Sequence, residues 1–194
     1  MIKEFTTFNR SGVFVPVDID YSMDVYKNMS DSAYSAFFDN SSKGFSWVFN
    51  DERIILLDDN VDIFAYPTVY NKYVVAIYKG LNSKFPPPHN AVVYNLDGSI
   101  HKVLKIPKLV SPKILKKIKE EKHSNPPIED NRYGHYGMGL QFAGFAWDKD
   151  KDGNLVNSIS IKYAGEYGEW RIFNPVTGEF GEMTTDWYQS RGWR

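Results

Sequence analysis

The chain reads as a mainly β protein of antiparallel meanders, forming a sandwich or blade-like twisted sheets, with one amphipathic helix near 112–122. Three observations predict this. Aromatic residues make up 16% of the sequence, with 13 Tyr, 13 Phe and 5 Trp, and such side chains suit a pleated, half-buried surface. Short runs of apolar and β-branched residues recur, several with a period of two. The connections between them are brief and carry Asp, Asn or Gly, which favours hairpins because parallel strands need long crossovers.

The elements follow in order. "GVFVPV" (12–17) alternates, and Pro16 suits an edge strand. "FSWVFN" (45–50) and "RIILLD" (53–58) flank Asp51-Glu52, which reads as a tight reversal. "DIFAYPT" (62–68) and "YVVAIYK" (73–79) are joined through 69–72, and "AVVYN" (91–95) and "IHKVLKI" (100–106) through Leu96-Asp97-Gly98-Ser99, a strong hairpin signal. The C-terminal third repeats the pattern in "LQFAGFAW", "LVNSISIKY", "EWRIFN" and "EFGEM". Ile159, Ile161 and Tyr163 alternate with Ser158, Ser160 and Lys162, giving one buried and one wet face. "AVVYNLDGSI" and "WRIFNPVTGEF" echo each other as strand, Gly-bearing turn, strand. In "SPKILKKIKEEKH", Ser111 suits the N-cap and Pro112 the first helical position, with Ile114, Leu115 and Ile118 on one face. Asn125-Pro126-Pro127 ends that helix, and Asp31 caps a shorter one in "SDSAYSAFFDN". At 194 residues the chain is expected to be a single domain, 1–194, able to bury a core without staples.

No cysteine is present, so disulfides, thiolate nucleophiles and sulfur-ligated zinc are excluded. The first residues, "MIKEFTTFNR", lack a signal-peptide core, and no apolar run reaches membrane-spanning length, so cytoplasmic residence is expected. The net charge of -1 conceals an uneven distribution: residues 1–65 hold 5 basic and 11 acidic side chains, and residues 66–127 hold 11 and 3. Such separation produces faces of opposite potential that steer charged partners.

"DKDKDG" places Asp148, Asp150, Asp152 and Gly153 in the spacing that opens a calcium loop. Twelve residues in, however, stands Ile159, and both flanks read as strands, so the stretch is expected to be a hairpin turn with positive φ at Gly153 or a neighbour. No histidine pair has metal-binding or H-E-x-x-H spacing, and no phosphate loop or nucleophile elbow occurs. His101 lies within a strand and reads as a cross-strand neighbour. The lysine run from Lys102 to Lys122 contains no Arg, and the pI of 6.4 is low for a nucleic-acid binder, so a solvated helix face explains the run. A catalytic residue and a cofactor are therefore not expected.

The acidic stretch points to a protein partner. Asp18, Asp20, Tyr21, Asp24, Tyr26, Asp31, Asp39, Asp58, Asp59 and Asp62 form the candidate binding set, carboxylates for encounter and rings as anchors against a basic surface. An alternative site combines Arg132 and His135 in "RYGHYGMG" with Trp187, Arg191, Trp193 and Arg194, a set suited to a carbohydrate, an anionic ligand or a small hydrolase.

In "DIDYSMDVYKNMSDSAYSAFFDN", "VVYNLDGSIHKVL" and "WRIFNPVTGEFGEM", and in its general character, the chain resembles bacterial immunity proteins of contact-dependent growth inhibition and related polymorphic toxin systems. The resemblance implies a cytoplasmic protein that works by binding and neutralising a cognate toxin, often a basic nuclease. It carries over no individual residue.

Overall fold

The computed structural model describes residues 2–21, 30–37, 43–120, 140–163 and 167–188. Among the described residues, twelve strands form three four-stranded sheets, antiparallel throughout. β1 (Lys3–Asn9), β2 (Phe14–Pro16), β3 (Lys43–Phe49) and β4 (Glu52–Leu56) make the first, in the order β2-β1-β3-β4. β5 (Asp62–Pro67), β6 (Val74–Lys79), β7 (Ala91–Tyr94) and β8 (Ile100–Val103) make the second in sequence order. β9 (Gln141–Lys149), β10 (Leu155–Tyr163), β11 (Tyr167–Phe173) and β12 (Phe180–Tyr188) make the third. Among the described residues two α-helices accompany them, α1 (Asp31–Phe37) and α2 (Pro112–Glu120). The mainly β, meander-built class expected from the sequence is the one found.

The second sheet is the middle layer. Val74, Ala76, Tyr78, Val92 and Tyr94 pack with Phe5, Phe45 and Trp47 of the first sheet. Val75, Ile77, Ala91 and Val93 pack on the other side with Phe142, Ile159, Ile161 and Tyr163 of the third. Strands buried on both faces read as continuous apolar runs, which explains "VVAIY" and "AVVY". Each fully buried Val or Ile contributes about 1.5–3 kcal/mol, so this layer carries much of the stability. Its polar atoms are matched: the Tyr78 and Tyr94 hydroxyls lie 2.6 Å apart, and Asn90 Nδ2 donates to the Tyr78 and Phe142 carbonyls. Burial, then the Tyr94 contact, pushes the Tyr78 hydroxyl well above its ordinary pKa.

Three local readings are corrected. β1 lies in "MIKEFTTFNR", where no strand was expected. A bulge after Lys3, with Glu4 at φ 49°, breaks the alternation that would have announced it. The β3–β4 reversal uses Asn50 and Asp51, at φ 52° and 63°, and Glu52 already pairs with Phe49. α1 is capped one residue earlier than expected: the Tyr34 amide donates to the Ser30 carbonyl, and Asp31 falls in the first turn. At α2 the Ile114 amide donates to Ser111 Oγ at 3.1 Å, the expected cap. The Asn-Pro-Pro stop lies outside the described residues.

The internal echo is wider than two copies. In the β1–β2, β7–β8 and β9–β10 turns an Asx residue accepts the amide of a glycine three positions on (Asn9–Gly12, Asn95–Gly98, Asp150–Gly153), and each glycine has φ +83°. The β11–β12 turn is one residue longer, with Gly178 at φ +73° donating to Asn174. A tight turn closed by a left-handed glycine suits the twist of an antiparallel pair, so unrelated strand pairs share this solution.

Candidate functional site: an acidic end built from hairpin turns

Five turns and one loop meet at one end of the stack. Val74 pairs with Tyr94, which sets the β5–β6 and β7–β8 connections side by side. Trp47 Nε1 donates to the Leu96 carbonyl at 2.7 Å, and Gly98 lies against Ile54, which brings in the β3–β4 turn. Trp147 Nε1 donates to the Pro67 carbonyl, and the Val69 amide to Asn157 Oδ1, both at 2.8 Å, which adds the β9–β10 turn. His101 Nε2 lies 2.9 Å from the Val176 carbonyl, and Lys102 Nζ 2.6 Å from that of Thr177, fixing the β11–β12 turn. His101 is thus a brace between sheets, with its ring against Tyr73.

The loop after β2 completes this end. The Tyr21 hydroxyl accepts the Tyr70 amide at 3.0 Å, and its ring meets Trp147 edge-on at 5.4 Å. Asp18 and Asp20, on the sequence-predicted surface, are thereby placed at the same end as Asp148, Asp150 and Asp152. Asp51, Glu52, Asp97 and Glu179 add exposed carboxylates, partly offset by Lys3, which pairs with Asp51 at 3.8 Å, and by Lys72, Lys102, Lys149 and Lys151. Within the β5–β6 connection Tyr70 is 73% exposed, on a left-handed backbone with φ 67° followed by Asn71 at φ 52°. Such a turn normally takes Asn or Gly, so a tyrosine here presents its ring at a conformational cost.

Two of these carboxylates are held well below the usual range. Hydrogen bonds from the Ser99 hydroxyl and amide do this for Asp97, and those from the Asn154 side chain and amide for Asp150. Asp150 Oδ1 accepts the amides of Asp152 and Asn154, and Asp148 Oδ1 that of Lys149. The "DKDKDG" stretch is therefore a hairpin turn whose carboxylates fold back on their own backbone. Among the described residues no three His, Cys, Asp or Glu side chains form a metal-binding group.

The other predicted residues separate. Asp58 is buried, and its carboxylate accepts the Asn60 and Lys84 amides, so it anchors a loop and presents no free charge. Asp59 pairs with Arg10, and Asp62 Oδ1 accepts the Lys43 amide at 3.1 Å. Asp31 is exposed on α1. Asp24, Tyr26, Asp39, Arg132, His135, Arg191, Trp193 and Arg194 lie outside the described residues. Tyr70 escaped sequence reading because nothing local distinguishes an exposed tyrosine from a core one, though the "YN" between two strands was a turn signal. The hairpin aspartates were read for metal and not for position.

Elsewhere the chemistry is structural. Glu169 is wholly buried. Its Oε1 accepts from Tyr163 at 3.1 Å and from Arg171 Nη1 at 3.0 Å, and Oε2 accepts the Val110 and Ser111 amides at 3.2 Å. This network ties the lead into α2 to the third sheet. A shallow cavity of about 440 Å³ beside α2 is lined by Lys113, Ile114, Lys116, Lys117 and Glu120. There Lys113 pairs with Asp186 and Lys116 with Glu120.

Fold and site together define a protein of three stacked antiparallel sheets, the second and third of them meanders, with exposed carboxylates on the turns at one end. No family model, curated protein or solved structure matches the chain. Among the described residues no helix is long and apolar enough to cross a membrane.

Proposed function

We propose that this chain is a non-catalytic protein-binding module that receives a basic partner on its acidic end. In the sharpest form of this reading it is a cytoplasmic immunity protein that neutralises a cognate toxin, such as a basic nuclease. One observation carries the reading: Asp18, Asp20, Asp148, Asp150 and Asp152, far apart in sequence, stand at the same end of the sheet stack as the exposed Tyr70. Carboxylates of this kind accelerate encounter with a basic surface, and a preset aromatic ring supplies a central anchor.

The test is to read the adjacent gene for a secreted protein with a C-terminal toxin domain and to measure binding of that domain to this chain by biolayer interferometry. The expected result is binding whose association rate falls with salt, and falls about tenfold in Asp18→Lys/Asp20→Lys at unchanged melting temperature. No association, or a rate indifferent to salt and to both substitutions, overturns the reading.

A further inference from the structure

The outward face of the third sheet has a chemistry distinct from the acidic end. Along β10, Asn157, Ile159, Ile161 and Tyr163 face the core, so Ser158, Ser160 and Lys162 face outward. The register carries that row across the sheet: Ser160 stands between Gly144 and Trp170, and Trp170 opposes Thr185. One step along, Gly168 stands between Lys162 and Trp187.

Both indoles lie down on this floor. A Cβ on Gly144 would meet Trp170 Cη2 at 3.5 Å, two strands from where Trp170 is rooted, so the ring reaches across Ser160. A Cβ on Gly168 would fall within the Trp187 ring, so only glycine lets that indole lie flat. Mid-strand glycine weakens a sheet, and a close approach is the usual compensation. The two rings are rooted on neighbouring strands, two residues apart along them, about 8 Å between Cα atoms from standard strand dimensions.

The hydrogen-bond state of the tryptophans divides them. Trp47 and Trp147 are buried and donate to the Leu96 and Pro67 carbonyls. Trp170 and Trp187 are partly exposed, and among the described residues neither indole N–H has an acceptor. A second polar group is unmatched in the same outward row: Ser158, between Ala146 and Ile172, has 0% exposure and a hydroxyl without a hydrogen-bond partner. At 0% exposure that hydroxyl lies beneath the surface, out of reach of anything that docks on the indoles.

We propose that this face is a carbohydrate platform, on which successive rings of a neutral glycan stack on Trp170 and Trp187. A sugar ring offers an apolar C–H face to an indole while its hydroxyls reach the indole N–H groups and the exposed Thr185. Charge decides against single-stranded nucleic acid, the other ligand that stacks on aromatic platforms: its phosphates require a cationic track, and Lys162 is the one cation of these outward rows among the described residues.

The test uses the whole chain, labelled with ¹⁵N and titrated at millimolar concentration with cellohexaose, xylohexaose or chitohexaose. The indole N–H signals of Trp170 and Trp187 are expected to shift saturably with at least one glycan, while those of Trp47 and Trp147 stay in place. Trp170→Ala and Trp187→Phe should each weaken that binding about tenfold, and Tyr70→Gly should leave it unchanged. No saturable shift with any of the three, or shifts indifferent to both tryptophan substitutions, overturns the proposal. Salt-sensitive shifts with an oligothymidylate in place of the glycans overturn it in favour of nucleic acid.

Discussion

Glu169 and Arg171 stand two residues apart on the inner side of β11, with 3.0 Å between Oε1 and Nη1 and both side chains withdrawn from water. Arg171 also donates through Nε and Nη2 to the Gly181 carbonyl, at 3.0 and 2.7 Å. A buried pair is worth little against an apolar substitute, but removing one partner strands the other. Glu169→Ala is therefore expected to cost about 3–5 kcal/mol, read from urea denaturation, and Glu169→Gln less. A loss for Glu169→Ala no larger than that of an exposed substitution would show that water satisfies Arg171.

Lys79 gives the alkaline side of the stability profile. Its ammonium lies 5.0 Å from the Phe64 ring centre and donates to the Ala143 carbonyl. Burial, with the nearby charge of Lys162, lowers its pKa to about 8 from 10.5. Between those values the unfolded chain binds more protons than the folded one, so stability rises with pH across that window. The rise is on the order of 3 kcal/mol when complete. Lys79→Met should abolish it, which denaturation midpoints at pH 7 and 9.5 will show. A persistent rise in the variant would assign it to another group.

Tyr70 sets stability against binding. Its backbone occupies a left-handed conformation that glycine adopts without strain, while its ring is 73% exposed and packs little. Tyr70→Gly is expected to stabilise the fold by about 0.5–1 kcal/mol and to lower affinity for the partner about tenfold. Calorimetry tests the first half without any partner. A destabilised variant would mean that the ring holds the turn.

Asp150 holds the β9–β10 hairpin through hydrogen bonds to Asp152 and Asn154. Because its folded pKa lies below the ordinary 3.8, its contribution is present above that value and lost as the pH falls through the folded one. Asp150→Ala should melt earlier than the parent at pH 7, and the gap should close in strong acid. Calcium should raise the melting temperature of neither protein. A calcium-dependent rise lost in Asp150→Ala would make the turn a metal site after all.

Much of the architecture was legible because strand signals are local. The Asp97-Gly98 turn and the Ser111-Pro112 helix start each depend on a few neighbouring residues and were found as expected. The strand expected over Ile159–Tyr163 is present, but its expected wet face is not: Ser158 and Ser160 are buried. β1 was missed because a single bulge shifts the faces of its side chains. Of the candidate site, Asp18, Asp20 and Tyr21 were legible as an acidic aromatic stretch. Asp58 looked identical to them, yet its carboxylate is turned inward onto backbone amides.

The sequence by itself determined the class: period-two patterning, tight turns and aromatic bulk specify antiparallel hairpins, since each hairpin needs only its own residues. Tertiary structure decided which sheet lies in the middle and which turns meet. Those outcomes depend on contacts between residues far apart in the chain, such as Val69 with Asn157 and Trp47 with Leu96, and no local pattern encodes them. The meeting of separate aspartate-bearing turns at one end, and the laying of two indoles across glycines of neighbouring strands, are consequences of that packing.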